Sequence, residues 1–269
     1  MANINNLYIR LHDGLGNRLF KVASGFGIAK KQNRNLFVSY ILNTFHNTSG
    51  IDYMKTIFRK LTVKNIESSE YKTFIEKEEE SLTFLNVPNY KEDILIRGYY
   101  QNEKYFKEYK NELYNLFEME ESRKNYLKSK YPDLENTYFL HVRRGDYIKD
   151  INKMHYIDLT KYYTNCFLLF KPTDKFLIFS DDIEYCKNMD ILKNKNISFV
   201  DKLENELDSL YLMSLCYLGG IAVNSTFSWW GSYLNENPNK IVTFPNKWFN
   251  NDWNKSDIPW ENSTVVSIK

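Results

Sequence analysis

Tyr138-Phe139-Leu140-His141-Val142-Arg143-Arg144-Gly145-Asp146 runs from an apolar strand straight into two adjacent guanidiniums. An apolar run closed by charged and glycine residues reads as a buried strand reaching the edge of its sheet, and the sequence beyond it repeats the form. A helix is expected over 159–170, a strand over 175–180, a helix from Asp182, and a strand over 197–200. A helix over 204–216, a short buried strand over 220–223 and a helix over 227–234 follow. Such alternation predicts a parallel sheet with helices on both faces, whose ligands collect beyond the carboxyl ends of the strands. Arg143 and Arg144 stand at one of those ends. Guanidinium is planar, permanently charged and matched to phosphate oxygens in a two-pronged geometry, so the pair suits a diphosphate. In isolation an Arg-Arg pair is more often a salt-bridge partner, here for Asp146, or the lining of a solvated edge.

Upstream, 7–11 reads as a strand, 13–17 as a glycine turn and 18–31 as a helix with small residues spaced along it. Strands are expected over 36–40 and 93–98, with a polar, poorly periodic stretch between them that includes the acidic run Glu76 to Glu80, read as a solvated loop. Helical patterning over 111–127 gives way to Lys128-Ser129-Lys130-Tyr131-Pro132-Asp133, a charged, proline-containing linker. The domain boundary is therefore placed there, giving domains 1–132 and 133–269. Gly14-x-Gly16 lacks the third glycine of a dinucleotide fingerprint, because Leu19 stands in its place. Its two glycines allow close backbone approach, and Asn17 either caps the helix or faces a cleft.

The chain has 269 residues, 43% hydrophobic and 26% charged, an ordinary balance for a folded globular protein. A formal net charge of +2 gives no reason to expect nucleic acid or an anionic membrane as partner. Three cysteines, Cys166, Cys186 and Cys216, form neither pairs nor metal-type spacing, which argues for a reducing compartment. The start of the chain lacks a secretory pattern, and no run approaches the roughly twenty apolar residues of a membrane span. A cytoplasmic protein without a transmembrane segment is expected. The sequon Asn224-Ser225-Thr226 is then a chance occurrence.

Asn224-Ser225-Thr226-Phe227-Ser228-Trp229-Trp230-Gly231 joins a strand to a helix, where hydroxyls and free amides at the helix start form an anion site. Ser225 and Thr226 are capping residues on either reading, and Trp229 and Trp230 are read as packing. Asp181 and Asp182 occupy another strand end, where a carboxylate can accept hydrogen bonds from a guanine edge or a ribose hydroxyl, or simply cap the following helix. His141 and Arg143 alternate onto one strand face, and Arg144 onto the other. No His/Cys/Asp cluster has metal spacing and no Asp-x-Asp occurs, so a leaving diphosphate would be stabilised by arginines and helix amides.

His141-Val142-Arg143-Arg144-Gly145-Asp146-Tyr147, Phe179-Ser180-Asp181-Asp182-Ile183-Glu184 and the segment Asn224 to Gly231 together resemble the three ordered motifs of the alpha-1,2-fucosyltransferase family, glycosyltransferase family 11. Gly14-Leu15-Gly16-Asn17, the stretch 98–106 and the closing 238–248 also resemble family segments. The resemblance implies an α/β fold of the GT-B type, two Rossmann-like domains facing a central cleft. It also implies metal-independent transfer of fucose from GDP-fucose to a glycan hydroxyl with inversion. No cofactor is implied beyond the donor substrate, and the partners are a nucleotide-sugar donor and a glycan acceptor. Carried over, Arg143 contacts the donor diphosphate, with Arg144 beside it; His141 and Asp181, with Asp182 adjacent, serve the guanosine end; Asn224, Ser225 and Thr226 serve the phosphate. Gly14, Gly16, Asn17 and Asp13 fall on the acceptor side. The family commonly has Gly-Gly-Leu-Gly-Asn-Gln, whereas Asp13 precedes Gly14 here and Arg18 follows Asn17. Asp13, Glu103, Asp146 and His155 are the titratable candidates for a general base. A transferase for another nucleoside-diphosphate sugar and a non-catalytic nucleotide- or glycan-binding module are the alternatives.

Overall fold

The computed structural model describes residues 4–40, 51–64, 66, 71–149, 154–202, 204–251 and 257–269. The chain divides into two compact units, Met1–Glu118 and Met119–Lys269. The division precedes the linker expected from sequence. The helical stretch 111–127 is in fact two helices, α2 (Lys110–Leu116) and α3 (Glu121–Lys130), with the break falling at the division. Helix α3 belongs to the second unit because Arg123 forks onto the Asp208 carboxylate of helix α6 (Glu206–Leu215), and Lys130 Nζ lies 2.6 Å from Glu204 Oε1.

In the first unit the described strands form a parallel sheet in the order β2-β1-β4-β3, from β1 (Asn6–Leu11), β2 (Asn35–Tyr40), β3 (Lys72–Ile75) and β4 (Ile94–Arg97). Strand β1 is central, and its run Leu7-Tyr8-Ile9 is buried on both faces, as a covered parallel sheet requires. Helix α1 (Leu15–Lys31) starts earlier than the sequence pattern suggests, with Gly14 at its N-cap and Asn17 already inside its first turn. Asn17 is therefore not the cap. Strand β3 was not expected, since its four residues, exposed at both ends and half-buried between, lie at a sheet edge and carry no long apolar run. Glu76, read as part of a solvated loop, is only 5% exposed. It lies directly after β3, under the turn that follows β4.

In the second unit the order is β10-β9-β8-β5-β6-β7, all neighbours parallel. Its strands are β5 (Thr137–Val142), β6 (Lys175–Ser180), β7 (Asn196–Phe199), β8 (Gly219–Ile221), β9 (Ile241–Pro245) and β10 (Thr264–Val266). Helices α4 (Thr160–Phe167), α5 (Ile183–Lys187), α6 and α7 (Thr226–Tyr233) fall where the alternation placed them. Strand β5 is buried at every residue. Trp229 and Trp230 are fully buried, and Trp229 donates its indole N–H to the Ile258 carbonyl at 2.7 Å while stacking on Tyr233. The cysteines are free and buried. No helix among the described residues is long and apolar enough to cross a membrane.

Both sheets reverse direction at one place. From β5 the chain builds outward to β6 and β7 on one side, then returns to lay β8, β9 and β10 on the other. The loops leaving β5 and β8 therefore diverge, and a crevice opens between them at their carboxyl ends. Strands β1 and β4 flank the equivalent point of the first unit.

Candidate active site

The crevice of the second unit collects the three segments singled out in the sequence: the arginine loop after β5, Asp181-Asp182 after β6, and Asn224-Ser225-Thr226 between β8 and α7. Because β5 ends at Val142, strand alternation does not govern the arginines. Both turn toward the β6 side, against the expectation of opposite faces. Arg143 Nη1 lies 2.9 Å from Asp181 Oδ2 and its Nη2 donates to Asp146 Oδ1 at 2.5 Å. Arg144 pairs through Nε with Asp182 Oδ2 at 3.1 Å, and its guanidinium stacks 3.5 Å from the centroid of the Tyr185 ring. Asp146 thus serves Arg143, not Arg144.

Asp181 organises this loop. Its Oδ1 accepts the Arg144 backbone N–H at 2.9 Å while Oδ2 meets Arg143. The contact is possible because residue 145 is glycine: a Cβ there would stand 2.5 Å from Asp181 Oδ2. Asp182 is a helix cap, its Oδ1 accepting the Tyr185 N–H at 3.0 Å, and it also holds Arg144. Arg143 remains partly exposed, and a guanidinium has five N–H donors, more than its contacts with Asp146 and Asp181 use.

His141 is buried beneath this loop, its ring 5.9 Å from that of Phe227. Burial, and then the neighbouring Arg143 cation, push its pKa down to about 3, so the ring is neutral at any working pH. Its Nδ1 is buried without a hydrogen-bond partner.

Asn224 is also more structural than expected. Its side-chain amide donates to the carbonyls of His155 (2.9 Å) and Trp248 (3.0 Å), so those donors tie two loops together. Ser225 occupies the N-cap of α7 but makes no side-chain cap bond. The residue that sequence reasoning missed is Tyr147. Its hydroxyl donates to the Asn224 carbonyl at 2.9 Å, joining the β5 loop to the β8 loop across the crevice, and its ring lies 5.5 Å from the Arg143 guanidinium carbon. It closes the first family motif, but nothing in the sequence assigned it a role.

In the first unit, Asp13 stands at φ 72°, a left-handed conformation that Asp tolerates better than most residues. Arg18 donates through Nε to the Asp13 carbonyl at 2.8 Å, so the two departures from the family motif are bonded to each other. The Asp13 carboxylate contacts His12 Nδ1 and lies 2.9 Å from the buried Lys21 ammonium. Burial alone would raise the carboxyl pKa, but these two donors outweigh it and hold it well below the ordinary carboxylate range. Asn17 accepts a hydrogen bond from Gln101 Nε2 at 3.1 Å. A Cβ on Gly14 would meet nothing within 4 Å, so no protein group requires close approach there; Gly16 is buried in the first turn of α1.

Glu76 underlies the same region. Its Oε2 accepts the N–H groups of Tyr99 (2.6 Å) and Tyr100 (2.8 Å), and Gly98, at φ 150°, leaves no room for a side chain against it. Burial pushes its pKa up to about 7 despite those donors. Of the other general-base candidates, Glu103 opens a short 3-10 turn and His155 packs its ring on Tyr147 and Phe249. Among the described residues no group of three or more His, Cys, Asp or Glu side chains is arranged to hold a metal ion.

The model of the family described as Glycosyl transferase family 11 matches residues 41–262. An alpha-1,2-colitosyltransferase of Escherichia coli is 29% identical over 268 residues, covering 89% of this chain and 91% of the relative. The O-antigen biosynthesis glycosyltransferase WbnK, also of Escherichia coli, is 26% identical over 297 residues, covering 94% and 97%. Among solved structures, NodZ alpha-1,6-fucosyltransferase soaked with GDP-fucose aligns with a TM-score of 0.52 at 11% identity, over 86% of this chain and 92% of that one; another structure of this protein gives its source as Bradyrhizobium. At that identity the likeness speaks for the fold, which is of the GT-B type.

Proposed function

Because the chain belongs to glycosyltransferase family 11, we propose that it transfers fucose from GDP-fucose to a glycan hydroxyl, forming an alpha-1,2 linkage with inversion and without a metal. The observation that carries this reading is the convergence of the Arg143 loop and the α7 start on one sheet reversal, with Tyr147 bridging them. As the bond from the anomeric carbon to the diphosphate breaks, negative charge grows on the leaving oxygens and positive charge on the sugar. Arg143, preset by Asp181 and Asp146, and the N–H groups at the start of α7, which the Ser225 side chain does not cap, stabilise the former. Neutral His141 leaves the local positive charge on the arginines. Asp181, already occupied by the arginine loop, acts on the donor chiefly by aiming Arg143.

The colitosyltransferase relative favours a second donor, GDP-colitose. Colitose is fucose without its 3-hydroxyl, so a site that hydrogen-bonds that hydroxyl discriminates strongly, while one that leaves it in water accepts both. A donor panel separates the readings. GDP-fucose and GDP-colitose should raise the melting temperature and release GDP slowly in water, whereas UDP-galactose should do neither. Equal stabilisation by GDP- and UDP-sugars, or none by any GDP-sugar, would overturn the assignment.

A further inference from the structure

At the sheet reversal of the first unit, beyond the ends of β1 and β4, lies a pocket of about 110 Å³ whose charged lining is entirely basic: Arg10, His12, Lys21 and Arg97. Lys21 is 3% exposed and is matched by Asp13. The two arginines have no such match. Arg10 Nε is buried without a hydrogen-bond partner, and neither Arg10 nor Arg97 forms an ion pair among the described residues. Glu76, which packs against Gly98 of the pocket wall, spends its Oε2 on two backbone N–H groups, and burial favours its uncharged form. The concavity therefore holds two arginines in excess of its acids. Sugar hydroxyls alone give no reason to gather two unpaired guanidiniums at one concavity; an anionic oxygen group does, because it meets the half-buried Arg10, whose Nε has no other partner, while Arg97 closes on it from the exposed rim.

We propose that this pocket binds a carboxylate or phosphate carried by the acceptor glycan, so that the enzyme selects an acidic acceptor. The proposal rests on the transferase reading above, and the two are tested apart. Calorimetry is run on the intact protein saturated with GDP, which blocks the diphosphate site, using methyl glucuronide, glucose 1-phosphate and neutral methyl glucoside as probes. At least one anionic probe should bind about tenfold or more tighter than the glucoside, and which one it is identifies the source of the charge. Arg97→Gln, at an exposed position, should weaken that binding about tenfold and leave GDP binding unchanged; Arg10→Gln should do the same if it folds. Equal binding of the glucoside, anion binding unaltered in Arg97→Gln, or GDP bound with no probe binding would each overturn the pocket assignment alone. Failure of GDP itself to bind would instead overturn the donor reading.

Discussion

Arg143 is fixed by two carboxylates, Asp181 and Asp146, so its guanidinium is oriented by the protein before it is asked to do any chemistry. A lysine offers one point charge and cannot keep both contacts while presenting a fork. Arg143→Lys and Arg143→Ala should stay folded and retain some GDP binding, yet lose kcat by about a hundredfold or more in single-turnover assays. Arg144 is spent on Asp182 and Tyr185, so Arg144→Ala should be the milder change. Glu76 makes a separate prediction. Its folded pKa of about 7 lies above the ordinary 4.5, so the contribution is fully present below 4.5 and is lost as pH rises through 7. The loss is on the order of 3 kcal/mol. Glu76→Gln should therefore flatten the fall in unfolding free energy between pH 5 and 8, and an unchanged slope in denaturant titrations would show that Glu76 does not titrate there.

The loop after β5 works as one element: Gly145 admits Asp181, Asp181 holds the Arg144 amide and the Arg143 guanidinium, and Tyr147 reaches the β8 loop. Gly145→Ala would place a methyl 2.5 Å from Asp181 Oδ2. It should cost tenfold or more in kcat with the melting temperature shifted by only a few degrees, because the position is a loop outside the core; parental activity would show that Asp181 can yield without disturbing Arg143. These element-scale relations were partly legible in sequence. The apolar runs of β1, β5, β6 and β8, and the strand–helix alternation, marked the sheet and the strand ends where Arg143, Asp181 and Ser225 lie. Side-chain direction was not legible, since alternation fails once β5 stops at Val142. Nor were β3, an edge strand without an apolar run, or the capture of Asn224 by two carbonyls distant in sequence. The link between Asp13 and Arg18 was equally hidden, because a left-handed turn and a buried side chain create it.

Across the molecule the two units repeat one architectural device, a parallel sheet whose strand order reverses beside its first strand, and each places charged side chains at that reversal. The chemistry differs between them. The second unit presents arginines preset by carboxylates and a helix start, while the first presents a basic pocket beside Asp13. The proposed reaction asks the arginines and the helix start to carry the leaving diphosphate in place of a metal, and asks the acceptor to attack from the side opposite that group, which would invert the anomeric centre. The direct test is to incubate the protein with GDP-fucose, in which fucose is β-linked, and a glycan acceptor in excess EDTA, and to read the new linkage by NMR. The account predicts an α-linked fucosyl product formed at the same rate with or without the chelator, whereas a β-linked product, or transfer that appears only when magnesium or manganese is restored, would contradict it.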